Sequence, residues 1–206
     1  MTGDRLARNN AYYERFADEV GDRTEARDYS RALRTFTGLV PKGRIVLDLG
    51  CGTGHHMVAL RELGYQVVGV DPSERMRRLS SEKGFQTIDG SFETLPQLEL
   101  PSIHGVWCAA SLLHVPEEAL IPALSAVRAR LPEGGALFVT VRLGSGASWD
   151  AWDDPEGDAQ RFIQLYTQQE LLSALEATSF QVAQYWCETS SWGRPSEWVS
   201  IVAAAS

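Results

Sequence analysis

Paired cysteines, long apolar runs and an excess of basic residues are all missing from this chain, and each absence closes a class of function. Cys51, Cys108 and Cys187 are odd in number, far apart and without C-x-x-C spacing, which suggests neither a disulfide framework nor a zinc site. No stretch approaches the roughly 18 apolar residues that a membrane helix needs. Met1-Thr2-Gly3-Asp4-Arg5 also lacks an apolar signal core, so a cytoplasmic protein with reduced thiols and no membrane partner is expected. Lys and Arg number 19 against 27 Asp and Glu, for a formal charge of -8. Phosphate backbones find little to hold on such a surface, and small molecules rather than nucleic acid are the expected partners. The early arginines (Arg5, Arg8, Arg15, Arg23, Arg27, Arg31, Arg34) are interleaved with acids, which reads as a solvated mixed-charge face. The 4 histidines have no metal-ligand spacing supported by nearby thiols or carboxylates, and no metal is expected.

What is present is 206 residues with 44% apolar content, enough for one sizeable core and one domain spanning 1–206. Residues 1–40 read as a helical cap, with Leu6, Tyr13, Phe16 and Val20 at helical steps and a second apolar set at Leu33, Phe36, Leu39 and Val40. Pro41-Lys42-Gly43 then introduces an apolar strand that ends in Asp48-Leu49-Gly50-Cys51-Gly52-Thr53-Gly54. A helix from His55 to about Leu63 follows, with Gly64 as its stop. Strands are expected at 66–70, 85–88, 103–110 and 136–141, with a Ser73-capped helix to about Glu82 and another from near Ile121, where Pro122 suits a first helical position. Residues 143–161 lose all periodicity and turn rich in Gly, Ser, Asp and Trp, which suggests a lid insertion. Thr167-Gln168-Gln169-Glu170 fits a capping box, and strands at 180–187 and 198–203 can close as an antiparallel hairpin. Strands alternating with helices call for an α/β fold with helices on both faces of a mostly parallel sheet, and a ligand crevice at the carboxyl ends of its strands.

The glycine spacing narrows the ligand. A dinucleotide loop needs G-x-G-x-x-G, but counting from Gly50 reaches His55, and counting from Gly52 reaches Met57. The observed pattern is G-x-G-x-G after Asp48, whose carboxylate can reach an ammonium group or orient the loop. Asp71, at the end of the second strand, stands where a carboxylate accepts both hydroxyls of a ribose. An NAD-dependent oxidoreductase on a similar sheet is the first alternative, and a non-catalytic module that keeps the cofactor fold is the second.

Taken together, these stretches resemble class I S-adenosylmethionine-dependent methyltransferases of the small single-domain kind. Val46 to Gly54 is similar to that family's first motif and Val67-Val68-Gly69-Val70-Asp71-Pro72-Ser73 to its second. Gly90-Ser91-Phe92-Glu93-Thr94-Leu95-Pro96 resembles the loop over adenine, and Leu131-Pro132-Glu133-Gly134-Gly135-Ala136-Leu137 the link from helix to strand. The resemblance runs from about Tyr13 to the last strand. It implies a three-layer, Rossmann-like, seven-stranded sheet, S-adenosylmethionine as cofactor with S-adenosylhomocysteine as product, and methyl transfer to O, N or S of a small molecule by a monomer or homodimer. It also implies a cofactor seat made by Tyr13, Asp48, Gly50, Cys51, Gly52, Gly54, Asp71, Pro72, Met76, Ser91, Phe92 and Ala109. The chain departs from the family at Ser91, where Asp is common, and at Val20, where an entry pattern begun by Tyr13 and Ala17 has a second Tyr.

Methyl transfer from a sulfonium leaves a catalytic base optional, and His is the usual one near neutral pH. His114, just past the fourth strand, is the candidate. His55 and His56 are read as local packing or solvent-facing, and His104 as structural. Tyr12, Arg142, Trp149, Trp152 and Tyr166 lie outside the common core and are the candidate substrate residues. Trp186, Trp192 and Trp198 are read as core or edge packing.

Overall fold

The computed structural model describes residues 2–154, 156–190 and 196–206. Three helices, α1 (Thr2–Arg15), α2 (Ala17–Glu25) and α3 (Ser30–Thr37), precede an alternating series. It runs β1 (Ile45–Leu49), α4 (His55–Glu62), β2 (Gln66–Asp71), α5 (Glu74–Glu82), β3 (Gln86–Asp89), β4 (Gly105–Ala109), α6 (Leu120–Arg128) and β5 (Ala136–Arg142). A hairpin of β6 (Gly146–Asp150) and β7 (Arg161–Leu165) follows, then α7 (Gln168–Ala177), β8 (Phe180–Ser190) and β9 (Ser196–Ala205). None of the described helices is long and apolar enough to cross a membrane.

The main sheet has the order β3-β2-β1-β4-β5-β9-β8. Neighbours from β3 to β5 are parallel, while β9 runs antiparallel to both β5 and β8. This is the expected α/β sheet with its C-terminal hairpin, and alternation along the strands explains both covering layers. Val46, Trp107, Phe138 and Val202 point to one face, where they pack with Phe36 of α3 and Leu60 of α4. Leu47, Leu49, Val106, Cys108, Leu137 and Val139 point to the other, against Leu124 and Val127 of α6 and Leu171 and Leu175 of α7. Strands covered on both faces are near-continuous apolar runs, so Asp48, fully buried within β1, is the exception that marks the site.

Several boundaries differ from the sequence expectation. The N-terminal cap breaks at Phe16, whose φ of -115 and ψ of 28 leave the helical region. α6 begins at Leu120, so Pro122 is its third residue, still within the first turn where a missing N–H costs no intrahelical bond. The capping box at Thr167 is present, with Thr167 Oγ1 accepting from Glu170 N and the Glu170 carboxylate accepting from Thr167 N. The segment at 143–161 is more ordered than its composition suggests. β6 and β7 pair in antiparallel register, placing Trp149 opposite Phe162 and Asp150 opposite Arg161. Trp192 and the turn at 191–195 lie outside the described residues.

His56, read from sequence as a local or solvent-facing residue, is buried, its ring 4.4 Å from that of Tyr29 and 5.5 Å from that of Trp107. Its Nε2 has no hydrogen-bond partner among the described residues. Burial, helped by His55 and Arg27, lowers its pKa to about 3. Because the unfolded imidazole takes a proton near pH 6.5 and the folded one does not, this residue's contribution to stability is lost as pH falls from 6.5 towards 3. The expected loss is about 2 kcal/mol between pH 7 and pH 5. Urea unfolding at the two pH values should therefore show His56→Leu less acid-sensitive than the parent by that amount, and equal sensitivity would mean that the ring is hydrated.

Candidate active site

The site begins where β1 ends. Gly50, Gly52 and Gly54 have φ of 81, 52 and 78, a region that costs a side-chain-bearing residue but not glycine. A Cβ at Gly50 would lie 2.3 Å from Cβ of Ser111, whose Oγ donates to the Leu49 carbonyl at 2.6 Å. The end of β4 is thereby sewn to the loop. At Gly54 a Cβ would meet Ser80 Oγ at 2.5 Å, so this glycine lets α5 approach and does not line the cavity. At Gly52 the space is open, with only Met76 Sδ at 4.0 Å.

The loop's amides are committed internally. Gly50 N and Cys51 N both donate to the Val70 carbonyl, at 2.7 and 3.1 Å, and Gly54 N donates to Cys51 O at 2.9 Å. Gly52 N donates to Asp71 Oδ2 at 2.9 Å, while Asp71 Oδ1 accepts from Ser73 N, also at 2.9 Å. Burial is the main reason that the pKa of Asp71 rises to about 6; the bonds from Ser73 and Gly52 and the charge of Arg77 oppose the rise, and Glu14 adds to it. A carboxylate has about four lone-pair sites, so two remain for ligand hydroxyls. Asp48 lies beneath the loop rather than on the cavity wall. Its oxygens have no hydrogen-bond partner among the described residues, and burial, reinforced by Asp71, holds it well above the usual carboxylate range.

One continuous cavity runs from this loop to α1, the turn after β4 and the β6–β7 hairpin. Of the sequence candidates it brings together Tyr13, Gly50, Cys51, Gly52, Asp71, Pro72, Met76, Ser91, Phe92 and Ala109, together with His114, Arg142 and Trp152. Tyr12, Trp149 and Tyr166 are not on its wall. The Tyr12 hydroxyl donates to Asp153, which Arg23 also grips, Trp149 lies under the guanidinium of Arg8 at 3.5 Å, and Tyr166 donates to the Val115 carbonyl at 2.5 Å. These three hold the β6–β7 hairpin and the segments packed beside it. Residues that sequence reading missed include Arg161 and Asn9, both on the wall, while Trp198, read as packing, also lines it. Arg161 had no signal beyond a lone basic residue near the end of an acidic insertion. Trp198 had one, since it precedes the apolar half of its strand.

The wall nearest β4 carries the titratable pair of Tyr13 and His114. Ala110 takes a φ of 53, uncommon for a residue with a Cβ, as the chain leaves the strand. His114 follows in a single helical turn. Its Nδ1 is 2.7 Å from the Phe162 carbonyl, which can only accept, so Nδ1 carries the hydrogen. Nε2 is then an acceptor, and the Tyr13 hydroxyl donates to it at 2.6 Å. Arg161 donates to the Tyr13 oxygen at 3.3 Å, and Arg5 donates to the His114 carbonyl while pairing with Glu93. Burial lowers the His114 pKa to about 3; the Phe162 bond opposes this, and Arg161 and Arg5 contribute to it. The imidazole is neutral at physiological pH. Burial likewise raises the Tyr13 pKa, so the hydroxyl is protonated at rest.

The residues fit a nucleoside with a polar tail: a buried acid with two spare acceptor positions, a glycine face open to the cavity, and Pro72, Met76 and Phe92 as apolar walls. Residues 20–185 match the family model described as a methyltransferase domain. Over 103 residues the chain is 31% identical to a C-methyltransferase of Streptomyces niveus, covering 48% of this chain and 24% of that protein. Over 113 residues it is 34% identical to a ubiquinone biosynthesis O-methyltransferase of Idiomarina loihiensis, covering 52% of this chain and 46% of that one. The matched stretch thus spans less than half of either relative. The fold is similar to that of the 1,6-didemethyltoxoflavin-N1-methyltransferase of Burkholderia thailandensis, with a TM-score of 0.74 at 21% identity over 98% of this chain and 88% of that one. The matched region carries the glycine loop, Asp71 and the strands that hold them in place, and by that match the chain belongs to the methyltransferase domain family.

Proposed function

We propose that this chain transfers a methyl group from S-adenosylmethionine to O, N or S of a small-molecule acceptor, releasing S-adenosylhomocysteine. It acts in the cytoplasm as a monomer or homodimer and needs no metal or nucleic acid. The observation that carries this reading is the buried Asp71 carboxylate, bonded to Gly52 and Ser73 yet still able to accept, in a cavity that runs on to Tyr13 and His114. Asp71 takes the ribose hydroxyls, Gly50, Cys51 and Gly52 line the ribose and methionine parts, and Pro72, Met76, Ser91 and Phe92 surround the adenine. Gly54 and Asp48 support the loop from behind, and Ala109 lies at the sulfur end. The cofactor supplies an electrophilic methyl group, so the protein's task is alignment and exclusion of water.

For an acceptor that loses a proton, the Tyr13 oxygen takes it while the Tyr13 hydroxyl proton moves to Nε2 of His114, along the 2.6 Å contact already present. Arg142 and Trp152 face the acceptor, whereas Tyr12, Trp149 and Tyr166 act on it only by holding the lid.

Two predictions test these roles. Asp71→Ala should weaken S-adenosylhomocysteine binding about tenfold or more by calorimetry, the scale of lost hydrogen bonds to a charged group. In the parent protein, affinity should fall about tenfold from pH 7 to pH 5, because a carboxyl with a pKa near 6 becomes protonated below it and loses acceptor capacity. A flat profile would place the ribose elsewhere. Nitrogen-15 NMR of His114 should show the neutral Nδ1–H tautomer with no titration from pH 8 to pH 5, and His114→Gln should lower kcat roughly a hundredfold on a hydroxyl or ammonium acceptor. Titration near pH 6.5 would show that the ring is hydrated, and a kcat for His114→Gln within about twofold of the parent would remove His114 from the proposed proton path.

A further inference from the structure

The cavity's arginines are not paired alike. Arg5 has Glu93, Arg23 has both oxygens of Asp153, and Arg27 has Glu188 at 3.5 Å. Arg142 and Arg161 share one carboxylate, and indeed one oxygen of it: Arg142 Nη1 is 3.9 Å and Arg161 Nη2 is 3.7 Å from Oδ2 of Asp150. Both distances exceed hydrogen-bond length, and that oxygen is buried without a hydrogen-bond partner among the described residues. Arg161 Nε is buried and likewise unpartnered among them. Among the described residues, two guanidinium groups therefore face one carboxylate without a hydrogen bond to it, which leaves one positive charge uncompensated at the cavity wall.

The neighbourhood specifies what answers that charge. Arg142 ends β5 and stands directly opposite Trp198 on β9, and both line the cavity, as Trp152 does from the lid. Arg161 also donates to the Tyr13 oxygen, so the charged pair adjoins the proposed proton path. A net single charge between two planar, fork-shaped donors matches a monoanionic carboxylate, which takes two parallel N–H bonds from a guanidinium. Aromatic walls suit a flat body attached to it.

We propose that Arg142 and Arg161 form an acceptor subsite for a carboxylate, so that the methyl acceptor is a flat, aromatic molecule bearing a carboxylic acid. This rests on the reading of the cavity as a methyl-transfer site. The lid delivers Arg161 and Asp150 from opposite strands of one hairpin, so it supplies half of the subsite and the counter-charge that holds it when no acceptor is bound.

The test uses matched aromatic carboxylic acids and their primary amides as probes, titrated into the full chain saturated with S-adenosylhomocysteine and followed by calorimetry. Acids should bind about tenfold more tightly than their amides, a preference that weakens with salt. Arg142→Gln should abolish the preference and leave S-adenosylhomocysteine affinity unchanged, while Arg142→Lys should restore part of it. Equal binding of acids and amides, no binding of the acids, or a preference that survives Arg142→Gln overturns the subsite. If the parent fails to bind S-adenosylhomocysteine at all, the cofactor reading falls instead, and the same acid-amide comparison on the free protein still decides the subsite.

Discussion

A single buried carboxylate fixes the geometry on which this site depends. Asp71 ends β2, and by accepting from Gly52 on one side and Ser73 on the other it joins the turn after β1 to the start of α5. The turn after β1, the end of β2 and the start of α5 are thus registered against one group. The arrangement holds only because the loop has no side chains in the way: Gly50 clears Ser111 and Gly54 clears Ser80. A carboxylate in so dry a place resists ionisation, and the two amides that orient it also keep its pKa near 6 rather than higher.

The opposite wall is built by another logic. Here α1, the turn after β4 and the β6–β7 hairpin are tied by side chains rather than by the sheet. Tyr13 meets His114, His114 meets the Phe162 carbonyl, and Asn9 accepts from Phe162 N at 2.6 Å. Asp153, gripped by Arg23 and Tyr12, fastens the chain just after β6 to α1 and α2. Shape on this side depends on polar contacts between segments distant in sequence.

This contrast explains what could be read from the residues alone. The loop, Asp71 and the succession of strands and helices were legible because backbone demands write themselves locally, as positive-φ glycines, apolar runs and a capping serine. Residues whose role is to touch something far away carried no such mark. Arg161 is an ordinary arginine until β7 pairs with β6, and Gly146-Ala147-Ser148 has little strand propensity apart from its partner. His56 looked polar and became core because Tyr29 and Trp107 close around it. Tyr12, Trp149 and Tyr166 were read as substrate residues, but what they contact is protein, and only the packed fold could reveal that.

The position of β9 has a consequence of its own. It follows β8 in sequence yet lies between β5 and β8, pairing with β5 along residues 136–142 and with β8 along almost its whole length. β8 has no other neighbour in the sheet, so it joins only through a strand that leaves the ribosome after it. Until β9 arrives, β5 presents an unpaired apolar edge, the kind that recruits foreign strands. Synthesis therefore passes through a stage at which most of the domain exists but its sheet stays open at one side, and the interval between emergence of β8 and insertion of β9 is when this chain is most exposed to misassembly.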